Sequence, residues 1–233
     1  VTQGEGGNPG VARLDARHID TWLFDLDNTL YPLDSGIAER LSSRITDFTE
    51  NLTGLPRAQA LALQKKYLAD HGLTLKGLMT HHGVLPDAYH EIFLDVPLDA
   101  LSPDPALRAA LERLPGRKLI FTNSDDRHTE RVLRALNLTG VFEDVFHIGS
   151  SGFTPKPEPD AYARAIADLA LRPSTTAFFE DAARNLEPAA ALGMTTVLVG
   201  PHALDNSAAF VHYRAPALTP CLEGARLSET ARP

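Results

Sequence analysis

With a single cysteine, Cys221, in 233 residues, no disulfide can form within the chain. That cysteine has no Cys or His neighbour at ligand spacing, which argues against a zinc site or a thiol nucleophile. No apolar run approaches the length that spans a bilayer, and the first residues lack the apolar core of a signal peptide, so a cytoplasmic chain without a membrane partner is expected. Basic residues are in the minority: 22 Lys and Arg stand against 30 Asp and Glu, a formal charge of −8, with no Lys/Arg-rich run. Nucleic acid is therefore disfavoured as a partner. A small phosphorylated metabolite is not excluded, because a local cation can overcome a net acidic field. What is present is ordinary for a globular protein, 43% hydrophobic and 22% charged residues. The length suits one large domain or one domain with an insertion, and a monomer or homodimer is expected.

The stretch from Thr21 to Leu30 is an apolar run that ends in two acids spaced two apart, Asp25 and Asp27, followed by Asn28 and Thr29. It reads as a buried strand that delivers an acid pair to its carboxyl end. If extension persists through Leu26, residues i and i+2 point the same way and the two carboxylates share one small volume. Their repulsion calls for a divalent cation, a lysine or a shared proton. An Asp-rich turn after a strand is the plainer alternative.

Residues 1–19 are Gly-rich and polar and are expected to form a mobile tail. From Ser35 to Leu52, the positions Ile37, Leu41, Ile45, Phe48 and Leu52 trace one face of an amphipathic helix, closed by Gly54 and Pro56. Helices follow over Arg57 to Asp70, Leu75 to His82 and Asp87 to Leu94, and Ser102 is placed as the cap of another that runs to Leu114. His71, His81, His82 and His90 have no spacing that suits a metal site and read as solvated or substrate-facing. Beyond Lys118, strand and helix alternate with short connections, which predicts a parallel sheet covered on both faces. The fold class is α/β, a three-layer Rossmann-like parallel-sheet core with an all-helical cap inserted between its first two strands. Residues 20–32 and 116–216 are assigned to the core, 33–115 to the cap and 217–233 to a C-terminal helix and tail.

In such sheets ligands bind beyond the carboxyl ends of the strands. The first strand delivers Asp25 and Asp27; the second, Thr122 followed by Asn123 and Ser124; the loop after the third, Lys156; and the fourth, Glu180 and Asp181. Individually these could be a helix cap, a solvated loop lysine and a helix-dipole partner. Together they are the groups that phosphoryl transfer needs: charge neutralisation, a hydroxyl donor and a carboxylate nucleophile.

The four pieces, Asp25-Leu26-Asp27-Asn28-Thr29, Thr122, Lys156 and Glu180-Asp181 in that order, resemble the haloacid dehalogenase-like superfamily of phosphatases and phosphotransferases. The resemblance implies that Asp25 is the nucleophile and Asp27 the general acid and base, for which a raised pKa beside Asp25 is expected. It also implies Mg²⁺ as cofactor, held by Asp25, the Asp27 backbone carbonyl and Asp181 with help from Glu180, and a phosphate held by Thr122, Asn123 and Lys156. Members that break carbon–halogen bonds need neither the metal nor the second acid, so Asp27 and Asp181 point to phosphate esters. Asn185 stands where a further acid is usual and is assigned to supporting or helix-capping duty.

The stretch from Thr74 to Met79, with Tyr31 and the run from Glu180 to Leu186, looks like the pyrimidine 5′-nucleotidase-type subgroup, which implies UMP or CMP as substrate. Lys76, Ser124 and Arg127 are then candidates for substrate contacts, whereas Tyr67 and Met79 are expected to pack. Sugar-phosphate or phosphoglycolate phosphatases and phosphomutases of the same superfamily are the alternatives within the enzyme class. A phosphoacceptor module or a non-catalytic phosphate-binding protein is the alternative outside it.

Overall fold

The computed structural model describes residues 13–228. Six strands, β1 (Thr21–Phe24), β2 (Arg117–Phe121), β3 (Asp144–Phe146), β4 (Thr176–Glu180), β5 (Thr195–Val199) and β6 (Tyr213–Ala215), form one sheet in the order β3-β2-β1-β4-β5-β6. Every pairing is parallel, which is the expected α/β architecture. Strand β1 has no polar face because helices cover both sides of the sheet. Trp22 and Phe24 enter one core with Ile120 and Phe179; Leu23, pointing the opposite way, enters the other with Leu119, Phe121 and Phe178.

The strand order reverses at β1, which lies between β2 and β4. The register pairs Phe24 with Ile120 on one side and Phe179 on the other. One residue further on, Asp25 is therefore level with Phe121 and Glu180, and its N–H still donates to Phe179 O at 2.9 Å. The chain then leaves the strand: Asn28 adopts a left-handed conformation (φ 63°), and Leu30 N–H closes a turn on Leu26 O.

Between β1 and β2 the chain forms α1 (Ile37–Thr53), α2 (Arg57–His71), α3 (Thr74–His82) and α4 (Pro86–Leu94), with their own core of Tyr67, Leu75, Leu78, Val84 and Tyr89. Gly77 allows α3 to approach α2, since a Cβ there would lie 2.3 Å from the Tyr67 ring. The apolar stripe of α1 is turned differently from expectation. Thr46 and Thr49 are its buried residues beyond Ile37, Leu41 and Ile45 are half-buried, and Leu52 is exposed. Thr46 Oγ donates to Gln64 Oε1 on α2 at 2.6 Å, so this threonine faces α2, while Leu41 and Ile45 of the aliphatic stripe border a cavity described below.

Two boundaries need correction. Helix α5 (Pro105–Glu112) is capped by Asp104, not Ser102: the Asp104 carboxylate accepts from Ala106 and Leu107 N–H at 3.0 Å, with Pro105 at the first helical position. Pro103 and Pro105 hold the residues before them extended, which delays the helix. Leu107, Ala110 and Leu111 pack in the same core as Trp22 and Phe24, so α5 belongs to the sheet layers and the helical insertion ends short of residue 115. The expected mobile tail is also too long. Leu14, Ala16 and Ile19 are buried, and Asp15 bridges Arg226 beyond the last helix. Residues 1–12, the rest of that tail, lie outside the described residues. The remaining helices, α6 (Asp126–Ala135), α7 (Pro159–Asp168), α8 (Ala183–Ala191) and α9 (Leu218–Gly224), alternate with the later strands. No helix among the described residues is long and apolar enough to cross a membrane.

Candidate active site

The carboxyl ends of β1, β2 and β4 bring Asp25, Thr122 and Glu180 to one edge of the sheet, and the loop before α7 brings Lys156 to the same place. Lys156 is buried, 1% exposed, and uses all three ammonium protons: on Asp25 Oδ1 at 2.6 Å, Glu180 Oε2 at 2.7 Å and Phe121 O at 2.8 Å. The rings of Phe121 and Phe178 flank its Nζ at 5.1 and 5.3 Å. Burial alone would push the lysine pKa down, but the two carboxylates outweigh it and hold the pKa above the usual lysine value. Lys156 is therefore charged and fully engaged by the protein.

Asp25, Glu180 and Asp181 have carboxylate oxygens within 4.8 Å of one another. Burial pushes Asp25 up to about 7, and the nearby Glu180 charge adds to this against the pull of Lys156. Burial and Glu180 push Asp181 up to about 9. Glu180 itself is lowered, because Lys156 outweighs its burial. Three carboxylates with one ammonium leave a surplus of two negative charges when ionised. A hard dication with oxygen preference fits that donor set, and Asp25 and Asp181, with Glu180 beside them, are the residues that would hold it.

Asp27 has a different environment, which sequence reasoning missed. Its Oδ1 accepts from Tyr31 OH at 2.5 Å and is 2.9 Å from His128 Nε2, and its Oδ2 accepts from Ser124 Oγ at 2.5 Å. Burial would raise its pKa, but the His128 charge and these hydrogen bonds outweigh burial and bring Asp27 down to about 2. The expectation of a raised pKa at Asp27 is therefore corrected: the raised acids are Asp25 and Asp181. His128, buried at the start of α6, has its own pKa raised by Asp27 despite burial. A signal for it was present, since His128 lies four residues before the buried Val132 on the face of α6 that turns inward.

Thr122, buried at the end of β2, accepts the Ser124 N–H at 3.0 Å, which leaves its hydroxyl proton free to donate. Neither Thr122 nor Asn123 caps α6; Asp125 does, through the His128 N–H. The Asn123 side chain donates to Lys156 O at 3.1 Å and accepts from Lys156 N–H at 2.8 Å, so its amide fixes the Lys156 loop rather than facing outward. Ser124 is at the centre, on Asp27. Arg127 is paired instead with Glu91 of α4 at 2.8 Å, where it links α6 to the helical insertion. Lys76, on α3, is half-buried and forms no ion pair among the described residues. Asn185 does not cap α8: its Oδ1 is buried without a hydrogen bond, and the cap residue is Ala182. Tyr67 packs as expected, with His81 stacked on it at 5.1 Å and His82 Nε2 at 2.9 Å from its hydroxyl.

Beside these residues, between α6 and the helical insertion, is a cavity of about 180 Å³. Asn123, Ser124 and His128 border it from the site, and Leu41, Ile45 and Phe93 from the helices.

Residues 19–193 match the family model of haloacid dehalogenase-like hydrolases. Phosphate metabolism protein 8 of Saccharomyces cerevisiae is 28% identical over 193 residues, which cover 76% of this chain; the match spans 60% of the length of that relative. Phosphorylated carbohydrates phosphatase of Thermotoga maritima is 24% identical over 207 residues, 84% of this chain and 92% of that one. Among solved structures, a HAD phosphatase from Thermococcus onnurineus is similar with a TM-score of 0.62 at 20% identity, covering 85% of this chain and 94% of that one, a likeness of fold.

Proposed function

The chain belongs to the haloacid dehalogenase-like hydrolase family, and on that premise we propose that it is a Mg²⁺-dependent phosphomonoesterase that acts through an aspartyl-phosphate on Asp25. The observation that carries this reading is the Asp25, Lys156, Glu180 and Asp181 cluster. It sets a carboxylate at the reversal point of the sheet beside a buried ammonium and an oxygen-donor set suited to a dication. When bound, Mg²⁺ supplies charge neutralisation for the phosphate oxygens, and Asp25, Asp181 and the Asp27 carbonyl are its proposed ligands.

An Asp25 oxygen attacks phosphorus in line, forming the acyl-phosphate bond as the ester bond to the leaving group breaks. Asp27 passes a proton to the departing oxygen and in the second half takes one from the water that attacks phosphorus, which regenerates the Asp25 carboxylate and releases inorganic phosphate. With Asp27 ionised at rest, His128 Nε2, 2.9 Å away, is the group from which that proton is supplied. Thr122 donates to a phosphate oxygen, and Lys156 keeps Asp25 oriented and its charge compensated.

The proposed substrates are pyrimidine nucleoside 5′-monophosphates, UMP and CMP. The support is the run from Thr74 to Met79 together with Tyr31 and the run from Glu180 to Leu186. A sugar phosphate is the second reading, favoured by the similarity to the Thermotoga maritima phosphorylated carbohydrates phosphatase along most of both chains. A panel of phosphorylated metabolites with inorganic phosphate as readout tests both. Preferred, multiple-turnover release from UMP and CMP supports the first, preference for sugar phosphates replaces it with the second, and phosphate returned to the sugar indicates a mutase. Failure to release phosphate from any ester over many turnovers rejects the enzyme reading in favour of a phosphoacceptor or binding protein.

A further inference from the structure

The helical insertion holds a cluster of side chains that the phosphate site does not use. His71 ends α2 and His81 lies in the last turn of α3, and their Nε2 atoms are 3.2 Å apart. Ten residues separate the two in sequence, so no helical spacing announces the pair. The fold makes it. Tyr67 and His71 are four apart on α2 and share one face, as Gly77 and His81 do on α3. The missing side chain at Gly77 lets α3 close on Tyr67, and one turn later the His81 ring stacks on the Tyr67 ring, with centroids 5.1 Å apart and planes at 10°. The His71 ring is also against Tyr67, at 5.9 Å. Tyr67 itself is buried, and its hydroxyl is 2.9 Å from His82 Nε2. Both imidazoles therefore rest on a buried base and meet at their edges.

A hydrogen bond between two neutral imidazoles accounts for the distance with a single proton. His81 is exposed and His71 half-buried, however, so water competes for that bond and it does little to keep the rings together. The separation also suits a shared metal ion. With metal–nitrogen bonds of about 2.0–2.1 Å, the Nε2 pair subtends an angle of about 100° at the ion, close to tetrahedral. Asp70, beside His71, carries a carboxylate within electrostatic reach of both rings. Its partner is Lys66, in an exposed ion pair of the kind that exchanges readily. Two imidazoles and one carboxylate favour Zn²⁺ or a similar borderline divalent ion and disfavour Mg²⁺, which prefers oxygen donors.

We propose that His71 and His81, joined by Asp70 as it leaves Lys66, form a site for Zn²⁺ or a like divalent ion that clamps α2 to α3. It is separate from the oxygen-donor cluster of Asp25, Glu180 and Asp181 and does not depend on the phosphatase reading.

Calorimetric titration of the whole protein with Zn²⁺ tests it, at about pH 7.5, where free imidazole is mostly neutral. Excess Mg²⁺ is present, and the titration is repeated in Asp181→Asn protein, so that Zn²⁺ at the acid cluster is told apart. One equivalent of Zn²⁺ binds in both proteins. His71→Gln, His81→Gln and Asp70→Asn each weaken that equivalent about tenfold or more, whereas Lys66→Ala, which releases Asp70, tightens it. Lys66→Ala thus reads the site by gain, should a histidine variant lose its fold. Zn²⁺ at a hundredfold excess over Kd raises Tm by about 5–10 °C in the wild type and not in the histidine variants. An equivalent that survives the histidine variants but is lost in Asp181→Asn belongs to the acid cluster and overturns the proposal. So does the absence of Zn²⁺ binding, which leaves the histidine pair as a hydrogen bond alone, or binding without a rise in Tm, which removes the clamp.

Discussion

Replacing Lys156 by methionine removes the cation that Asp25 and Glu180 share and keeps most of the side-chain volume. The ammonium is 1% exposed and holds Asp25, Glu180 and the Phe121 carbonyl at 2.6 to 2.8 Å. Its loss leaves two buried acids without their shared counter-charge, although Glu180 Oε1 keeps the Ala182 N–H at 3.1 Å. Breaking a buried ion pair from one side costs about 3–5 kcal/mol. For a chain of this size that lowers Tm by roughly 6–20 °C, at about 2–4 °C per kcal/mol. The penalty comes from the carboxylates left behind, so Glu180→Gln in the same protein should recover part of it, with a coupling of about 0.5–3 kcal/mol in the double-mutant cycle. Urea unfolding of the wild type, both single variants and the double variant at constant m-value reads these numbers. A Lys156→Met cost below about 1 kcal/mol, or a cycle without coupling, would refute the claim that Lys156 serves chiefly to neutralise Asp25 and Glu180.

Other predictions concern the neighbouring groups. Asp25 and Asp181 titrate near 7 and 9 in the metal-free fold, well above their unfolded values. The folded state then holds the extra protons, and stability of the metal-free protein declines as pH rises from about 4 through 9. Mg²⁺ displaces those protons, so its increment in melting temperature should grow between pH 5 and pH 8.5, about the range set by those titrations; a constant increment would contradict the assignment. His128→Ala should lower kcat/KM for an alkyl phosphate at least about tenfold more than for a good-leaving aryl phosphate, because proton delivery through Asp27 matters only for a basic leaving group. An equal loss on both would make His128 structural. Gly77→Ala places a methyl 2.3 Å from the Tyr67 ring. It should cost about 1–3 kcal/mol in urea unfolding, as overpacking does, and a neutral result would show that α2 and α3 are free to separate.

Much of the site was legible because a parallel sheet converts sequence order into position. Each strand ends at the same edge, so the residue type after each apolar run, Asp25, Thr122 or Glu180, announces what reaches that edge. What could not be read were contacts made sideways. Tyr31 reaches Asp27 through a turn that follows a left-handed Asn28, and His128 reaches it from the first turn of a neighbouring helix. Those partners set the Asp27 pKa below, not above, the ordinary carboxylate range. Arg127, a candidate substrate contact by sequence, is carried to Glu91 instead by one step around α6. At the chain's start, Gly-rich composition hid Leu14 and Ala16, whose burial depends on Arg226 at the other end of the described chain.

The central claim is that Asp25 carries the phosphoryl group. Acid-quenched wild-type protein, mixed with Mg²⁺ and an aryl phosphate ester, is digested and the peptides are weighed. The account predicts one added phosphoryl group on the peptide that contains Asp25, absent in Asp25→Asn protein and absent when chelator replaces Mg²⁺. A phosphoryl group on another residue, or phosphate release that persists in Asp25→Asn, would contradict it.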